Sequence, residues 1–453
     1  MTAPSLTRPE HGIPRRGGLF RHRDFRLLWI GEGASKFGSS VTTVALPLVA
    51  VATLDVGAFA AALLSAAVWL PWLLIGLPAG AWVDRLPRRP VMVACDLASL
   101  LLFLSVPAAA WAGVLTFAHL LAVAFGTGVA SVFFQCAYQV YLPCLLTPDQ
   151  LPEGNAKLQG TESVAQVGGP GVAGLIVQLA GSAVTALLVD AASFLISALC
   201  LLGIRAGEPE PRPRRRSSTL RREIAEGLRF VARDPYLRVL TVFGAASNFW
   251  LVGYQAILVV FLIREVGVGP GAVGAVMAGM SCGGVLGAVV ATRIARRFGT
   301  ARGMLLAELV AMPAGLLIPL ARPGAGLACV VAGGVIVGAG VVAGNVIKGS
   351  WRQVYTPHHL LGRVISSMQL VNLGTIPVGA VLAGALGGAL GLRPAMWVLT
   401  GGMALTWFVL LIGPLRRHRD LPTHPRPRVA DPTERPGPAG DGGSTGRPVP
   451  ASA

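Results

Sequence analysis

Glu32 and Lys36 are two ionisable residues inside an otherwise apolar stretch of the chain, and they lie four residues apart. In an α-helix this spacing places both side chains on one face, with the acid nearer the N-terminus, the favourable order for an ion pair. A charged side chain at the centre of a bilayer costs about 2.5–3.5 kcal/mol on insertion scales, so each one requires a reason. Two interpretations are open. Either Glu32 exchanges a proton while Lys36 releases and recaptures it, or the two form a static, self-neutralising pair.

Other polar residues lie at comparable depth in apolar stretches. Glu162 lies about 14 Å into its helix, which makes it a second candidate for proton exchange, with interhelical hydrogen bonding as the alternative. Asp190, followed by Ser193, is expected to make a structural hydrogen bond to a neighbouring helix. Asp96 and Glu308 are expected within a turn or two of the membrane surface, where loop arginines would pair with them.

The elements that carry these residues follow from the composition. Of the 453 residues, 53% are hydrophobic and only 13% are charged, whereas a soluble domain carries about 25% charged residues. Apolar segments long enough to cross a bilayer recur along the chain. Twelve spans are predicted, over 25–53, 58–82, 91–112, 115–145, 153–180, 183–205, 237–264, 270–292, 303–322, 325–353, 361–388 and 392–415. The fold class is therefore an all-α membrane protein, with its weakest boundary between the third and fourth spans.

The net charge of +17 does not indicate a nucleic-acid partner, because the arginines lie almost wholly in alternate loops and in the two tails. This distribution is the positive-inside bias, and it predicts a multi-pass membrane protein with both termini in the cytoplasm. The 35 Arg against three Lys, with abundant Ala, Gly and Pro, are typical of a high-GC bacterial genome, so the expected location is the bacterial inner membrane. The six cysteines lie in apolar segments without a C-x-x-C pair, so neither a metal site nor disulfides are indicated. No G-x-x-x-x-G-K-[ST] loop is present, so ATP is not expected to drive the protein.

The chain also repeats itself. "FRLLWIGEGASKF" at 25–37 resembles "LRVLTVFGAASNF" at 237–249, and "LLTPDQL" at 145–151 resembles "VYTPHHL" at 354–360. Both pairs are offset by about 210 residues, which is typical of two parallel six-span units. The predicted organisation is a cytoplasmic tail (1–24), an N-terminal bundle (25–205), a linker with an amphipathic helix at the membrane surface (206–236), a C-terminal bundle (237–415) and a disordered cytoplasmic tail (416–453).

A basic cluster with one embedded acid follows the second span. It contains Asp84, Arg85, Arg88 and Arg89, and Gly80 lies one helical turn before the acid. A glycine there lets another helix approach closely, and a carboxylate at that helix's N-terminus would meet the positive end of its dipole. An alternative interpretation of the three arginines is that they only set the membrane orientation.

This glycine and D-R-x-x-R-R pattern resembles the loop signature of the major facilitator superfamily. The resemblance implies two pseudo-symmetric six-helix bundles. It also implies that Asp84 latches them on the cytoplasmic side in the outward-facing state, against span 11, with Asp96 completing the network. Two residues depart from the signature: Pro87 stands where the family usually has glycine, and Arg296 occupies the equivalent acidic position in the second half.

A second resemblance lies in span 5, where Gly169, Pro170 and Gly174 partly match the G-P-x-x-G-G core of drug–proton antiporters. A helix kink that only permits close packing is the alternative. Together with "VDAASFLISA" at 189–198 and the two T-P loops, the chain is similar to the branch of enterobactin exporters and macrolide efflux proteins, the transmembrane secretion effectors.

In the superfamily, spans 1, 4, 7 and 10 line a central cavity. Besides Glu32 and Lys36, their polar residues here are Gln135, Tyr138, Gln139, Asn248, Tyr254, Gln255, Asn345 and Lys348. The two lysines favour an anionic or amphiphilic small molecule, although Lys348 could equally snorkel to the cytoplasmic face.

The resemblance implies a monomeric secondary carrier that exports such a molecule by alternating access, without a cofactor and powered by the proton gradient. A proton-coupled importer and a transport-dead partner or sensor remain as alternatives. A membrane-embedded enzyme is disfavoured, because the sequence offers no convergent set of His, Asp and Glu.

Overall fold

The computed structural model describes residues 19–83, 85–147, 149–206, 220–356 and 358–422. These residues form helices and turns, with no β-strand among them, and twelve of their helical segments are long and apolar enough to cross a membrane. The helices are α1 Arg23–Leu48, α2 Ala58–Val83, α3 Arg88–Trp111, α4 Phe117–Leu145, α5 Leu151–Ala180, α6 Ala183–Gly203, α7 Leu220–Arg233, α8 Pro235–Val260, α9 Pro270–Phe298, α10 Thr300–Ala314, α11 Leu327–Tyr355, α12 His358–Leu390, α13 Leu392–Leu405 and α14 Trp407–Ile412. A 3₁₀ segment, Gly315–Leu320, extends α10, and α13 and α14 together make the last span.

Local sequence explains several helix ends. Gly113, with φ of 70°, ends the turn after α3 and separates it from α4, so the weakest boundary of the sequence prediction is confirmed. Gly181 adopts the left-handed conformation at the end of α5, and the Ser182 hydroxyl then accepts a hydrogen bond from the backbone N–H of Val184 to start α6.

The two halves share backbone details that the repeat in the sequence predicts. α1 continues into a π-helical segment, Val49–Thr53, and α8 continues into Phe261–Glu265 at the equivalent place. Each segment is followed by a residue in the left-handed region, Asp55 with φ of 51° and Gly267 with φ of 76°. The N-bundle (α1–α6) and the C-bundle (α8–α14) are therefore copies of one architecture.

Small residues allow the helices of each bundle to pack closely. In the N-bundle, α1 packs against α5 and α6, and Gly38 lies directly against Asp190 and Ser193 of α6. In the C-bundle, α9 packs along α11, where Gly283 meets the backbone of Val335. A side chain at either glycine would push its helix pair apart.

Within the described residues, the closest glycine contacts between the bundles lie at one end of the molecule. We call the end that carries Leu19 and Pro422 the terminal end, and the opposite end the far end. At the far end α5 crosses α9, where a Cβ on Gly174 would lie 2.9 Å from the Cα of Gly274. There α2 also crosses α12, where a Cβ on Gly384 would lie 2.9 Å from the Cα of Phe59.

An ion pair joins the two bundles at the far end. Arg264, after α8, donates to the backbone oxygen of Asp55 at 2.9 Å and pairs with its carboxylate. At the terminal end, by contrast, a Cβ on Gly80 would have no described atom within 4 Å, so the described residues do not make the close helix contact expected at this glycine. Within the described residues, the bundles thus make close helix contacts at the far end but none at Gly80 on the terminal end.

The sequence predicts that the linker helix α7 lies on the membrane surface, but the structure also packs it against protein. It packs along α12, with Val231 buried, and a Cβ on Gly227 would lie 2.6 Å from the backbone oxygen of Arg363. Glu226 and Arg363 form an ion pair at 2.7 Å. Part of the apolar face of α7 is therefore buried against protein, which fixes the linker to the C-bundle.

The disorder expected from residue 416 is wrong for residues 416–422. The Asp420 carboxylate accepts a hydrogen bond from the backbone N–H of Thr300 at 2.9 Å, at the start of α10. The Leu421 N–H donates to the Thr300 hydroxyl at 2.8 Å, and the Trp351 indole donates to the Pro422 oxygen at 2.7 Å. We call residues 418–422 the C-terminal strap; the rest of the predicted tail, 423–453, lies outside the described residues, as do 1–18 of the N-terminal tail.

Candidate functional site

Three charged side chains from two helices meet in the N-bundle. Lys36 of α1 lies 3.6 Å from the Glu32 carboxylate, one turn earlier, and 3.7 Å from the Glu162 carboxylate of α5. The Glu32 side chain is 7% exposed, whereas those of Lys36 and Glu162 are 34% and 33% exposed. We call these three residues the N-bundle charge cluster. With all three ionised, it carries two negative charges and one positive charge.

Neighbouring contacts hold α1 and α5 in the register that brings the cluster together. The Trp29 indole donates to the Thr161 hydroxyl at 2.9 Å, and a Cβ on Gly33 would lie 2.9 Å from the Thr161 methyl carbon. The Gln159 amide lies 3.4 Å from the Glu162 carboxylate. Glu162 faces α1 through its ion pair with Lys36. The interhelical contact considered for Glu162 as an alternative to proton exchange is therefore present, and it is an ion pair.

The glycines of span 5 pack on two sides of α5. A Cβ on Gly169 would lie 2.9 Å from the backbone of Ser40 in α1, so this glycine belongs to the N-bundle interior. Gly174 instead faces α9, and a Cβ on Gly274 would lie 2.5 Å from the Pro170 oxygen. The motif thus links the helix that carries Glu162 to the contact that closes the far end.

A cavity of about 250 Å³ lies in the C-bundle between α8, α10, α11 and α12. We call it the C-bundle cavity. Of the predicted cavity residues it contains Asn248, Asn345 and Lys348. The polar side chains that complete its lining, which the sequence analysis did not place there, are Ser247, Glu308, Arg352, Gln369 and Asn372.

Glu308 does not pair with loop arginines, contrary to expectation. It is buried, 4% exposed, and its carboxylate packs directly on Gly344 of α11 while facing Lys348 one turn further along that helix. The missing side chain at Gly344 makes this position possible. Lys348 in turn points into the cavity, which argues against snorkelling to the membrane surface.

The remaining cavity candidates lie elsewhere. Tyr254 does not line the cavity, contrary to the prediction. It is 1% exposed and packs in the bundle core, where its neighbour Gly253 contacts α12 and α13. Gln139 and Gln255 are exposed, while Gln135 and Tyr138 are half-buried on α4. Among these four residues, Tyr138 faces the acids of the N-bundle charge cluster.

The predicted latch is only partly visible. Asp84 lies outside the described residues, and Arg85 is exposed. Arg89 donates its Nε to the Leu201 oxygen at 2.7 Å and also binds the Leu202 oxygen, so it caps the end of α6 within its own bundle. Arg88, at the first turn of α3, is half-buried.

Asp96, like Glu308, was expected near the membrane surface beside loop arginines, and this expectation is wrong. It is 2% exposed and lies against Ser197 of α6, so it does not reach the loop arginines. Asp190 behaves as expected: Thr42 of α1 donates to its carboxylate at 2.5 Å, and the Ser193 hydroxyl lies 3.1 Å from it. Within the described residues, no group of three or more His, Cys, Asp or Glu side chains is placed to hold a metal ion.

The comparisons with known proteins agree with this architecture. Residues 18–435 match the family described as transmembrane secretion effector. The chain is 27% identical over 401 residues to the multidrug efflux pump Tap of Mycolicibacterium fortuitum, covering 86% of this chain and 95% of the pump. It is 29% identical over 396 residues to the Tap pump of Mycobacterium tuberculosis, covering 85% and 92%.

Solved structures share the fold at low sequence identity. The nucleoside transporter NupG aligns with a TM-score of 0.69 at 12% identity, covering 87% of this chain and 99% of NupG. A bacterial homologue of the iron transporter ferroportin in its inward-facing state aligns with a TM-score of 0.68 at 17% identity, covering 87% and 99%. With its two six-helix bundles and its match to efflux pumps along most of its length, this chain is a multi-pass efflux transporter that belongs to the transmembrane secretion effector family of the major facilitator superfamily.

Proposed function

We propose that the protein exports a small amphiphilic molecule, such as a drug, a macrolide or a siderophore, in exchange for protons that flow inward through the N-bundle charge cluster. The observation that carries this proposal is the position of Lys36, within 3.7 Å of carboxylates from two different helices. A half-buried base between two acids gives a proton a choice of binding sites and gives the lysine a partner in either case. The name of the Tap relatives, multidrug efflux pump, supports the direction and breadth of transport.

The charge arithmetic of the cluster suggests how coupling works. With one acid protonated, Lys36 pairs with the other acid and the cluster is neutral. With both acids ionised, it holds an excess negative charge inside the membrane, which is costly to bury. Closure of the pathway therefore favours the protonated cluster, and an open pathway tolerates the charged one.

The conformation fits the second of these states. Gly80 at the terminal end has no described atom within 4 Å of a Cβ built on it, from which we infer that the pathway is open there, and Lys36 and Glu162 are each about one-third exposed. If the terminal end is cytoplasmic, as the arginine-rich loops on that side favour, this is the state that releases protons and takes up cargo. We place the protein in the bacterial cytoplasmic membrane as a monomer, with both termini in the cytoplasm and no cofactor.

Transport into everted membrane vesicles tests the proposal, with ethidium as the probe. An imposed inside-acid gradient should drive ethidium accumulation by the wild type. The double substitution Glu32→Gln/Glu162→Gln should reduce this accumulation at least tenfold, because no carboxylate remains to carry the proton. Glu153→Gln is the matched control, since Glu153 forms an i,i+4 pair with Lys157 on α5 outside the cluster.

Full proton-driven accumulation by the double variant would refute the coupling role. Uptake into right-side-out vesicles instead of everted ones would indicate an importer. No transport in either direction, with correctly folded protein, would indicate a partner or sensor.

A further inference from the structure

The C-bundle cavity contains an unusual concentration of polar atoms without protein partners. Within the described residues, four buried side-chain atoms that lack a hydrogen bond belong to its lining: Ser247 Oγ, Glu308 Oε2, Arg352 Nε and Asn372 Oδ1. Ser247 and Glu308 are 8% and 4% exposed. Buried polar atoms normally have partners, so a cluster of unpaired ones around one cavity offers several hydrogen-bonding positions to water or to a ligand that enters it.

The charges of the lining select the kind of molecule. Gly344, Lys348 and Arg352 follow one another at intervals of four residues and therefore lie on one face of α11. Neither cation has a carboxylate oxygen within 4.0 Å in the described part of the chain. Opposite them stands a single acid, Glu308, so with all three ionised the lining has a net charge of +1.

The cavity also has an apolar side, formed by Phe243, Leu251, Met312 and Val341. Its volume of about 250 Å³ is below the roughly 300–1,000 Å³ of pockets that enclose whole drug-sized ligands. It is therefore sized for the head group of a larger molecule or for one small aromatic ring.

We propose that the C-bundle cavity is a binding site for the acidic head group of an amphiphilic organic anion, whose carboxylate is bound by Lys348 and Arg352. A neighbouring hydroxyl or carbonyl of the ligand pairs with Ser247 and Asn372, and its apolar part lies against Leu251 and Met312. Identifying this anion as transported cargo relies on the export function proposed above, whereas its binding to the cavity does not.

Equilibrium binding of radiolabelled salicylate to the purified full-length protein in detergent tests this site without any proton gradient. Salicylate carries a carboxylate, an adjacent hydroxyl and one aromatic ring. The wild type should bind it saturably, and the neutral analogue salicylamide should compete at least tenfold more weakly. Lys348→Met and Arg352→Gln should each weaken salicylate binding at least tenfold. Lys157→Met, which removes a lysine outside the cavity, should leave the binding unchanged.

A third variant tests whether a loss of salicylate binding comes from the cavity itself and not from misfolding. Asn345 lines the cavity and is exposed, so Asn345→Leu should fill the mouth while leaving every charge in place. It should weaken salicylate binding severalfold and keep the melting temperature of the wild type. Equal binding by the wild type and the three cavity variants, equal competition by salicylamide, or no saturable binding at all would overturn the site.

The outcomes separate this site from the export mechanism. Ethidium transport without salicylate binding would leave the proton-coupled export intact and remove the anion site. Salicylate binding that depends on Lys348, in a protein that moves no ethidium, would establish the site and remove the proposed export.

Discussion

The two bundles share one backbone plan but arrange their buried charges in different ways. In the N-bundle, Lys36 contacts two acids, and Asp190 is held by hydroxyls from α1 and α6. In the C-bundle, Lys348 and Arg352 have no carboxylate within 4.0 Å among the described residues, and Glu308 keeps one oxygen unpaired. Glu32 also keeps one buried oxygen unpaired, so the difference lies in the cations: Lys36 has two carboxylate partners, whereas Lys348 and Arg352 have none within 4.0 Å among the described residues.

This difference is what we would expect if the proposed proton site and the proposed ligand site lay in different bundles. A paired cluster whose charge changes by one proton suits the binding and release of protons. An unpaired, positive lining suits a ligand that brings its own charge. The register of the repeat sharpens the point, because Lys36 corresponds to Asn248 and Lys348 corresponds to Gln139. Each bundle thus has a lysine where the other has an amide.

The substitution with the largest expected effect is Lys36→Met. It leaves Glu32 and Glu162 close together without their base, so proton-driven ethidium transport should fall at least tenfold. Stability should drop by about 1–3 kcal/mol, less than the 3–5 kcal/mol of fully buried pairs because Lys36 is partly exposed. Adding Glu32→Gln should restore the melting temperature but not the transport. Wild-type transport by Lys36→Met would remove the distinction between the bundles.

Gly274→Leu tests whether both charge groups face one shared pathway. The new side chain would collide with α5 at Gly174 and Pro170, so the far end could no longer close. We expect at least a fivefold loss of ethidium transport, together with faster labelling of a cysteine introduced at residue 62. Gly401→Leu is the control, because a Cβ at Gly401 meets open space. Unchanged transport by Gly274→Leu would show that the α5–α9 contact does not gate the pathway.

Substitutions of Asp190 and Glu308 should have moderate and different effects on stability, because Asp190 has hydrogen-bonding partners on its carboxylate and Glu308 has an unpaired oxygen. Asp190→Ala leaves the hydroxyls of Thr42 and Ser193 without their carboxylate and should destabilise the protein by about 1–3 kcal/mol. Glu308→Gln should cost less stability than Asp190→Ala: it removes the acid that faces Lys348, but that acid has an unpaired oxygen and no described cation within 4.0 Å. Thermal unfolding followed by tryptophan fluorescence measures both. A larger loss for Glu308→Gln than for Asp190→Ala would reverse the comparison.

The smallest expected effect concerns the ion pair that joins the bundles at the far end. The Asp55 carboxylate is 94% exposed, so its pairing with Arg264 should contribute no more than about 0.2–1 kcal/mol. Asp55→Asn keeps a residue that tolerates the left-handed backbone and removes only the charge. The shift in melting temperature should disappear in high salt. A large, salt-independent shift would mean that the backbone of this turn, rather than the charge, was disturbed.

Much of the fold could be predicted because it depends on local patterns. Apolar length fixed the twelve spans, and the i,i+4 spacing of Glu32 and Lys36 gave their pairing directly. The repeat of about 210 residues anticipated the matching π-helical segments only in general terms, because nothing in "VAVAT" or "FLIRE" distinguishes a π turn from an α turn.

The contacts between distant helices could not be predicted. Glu162 meets Lys36 because Gly33 and Thr161 set the α1–α5 register, which no single helix encodes. Glu308 was placed too near the surface because α10 starts at Thr300, three residues before the predicted boundary, which puts Glu308 about 12 Å into the helix. The residues that contact Glu308 come from α11. Gly344, one turn before Lys348, is the feature of the sequence that could have indicated this contact, because a glycine leaves room for the carboxylate.

The C-terminal strap has a practical consequence for handling this protein. Affinity tags and fluorescent reporters are commonly joined directly after the last hydrophobic segment. A fusion at residue 415 would delete Asp420 and Leu421, uncap the first turn of α10 and expose the Trp351 indole. Expression vectors that preserve the chain through Pro422 should therefore give better-behaved preparations than shorter ones.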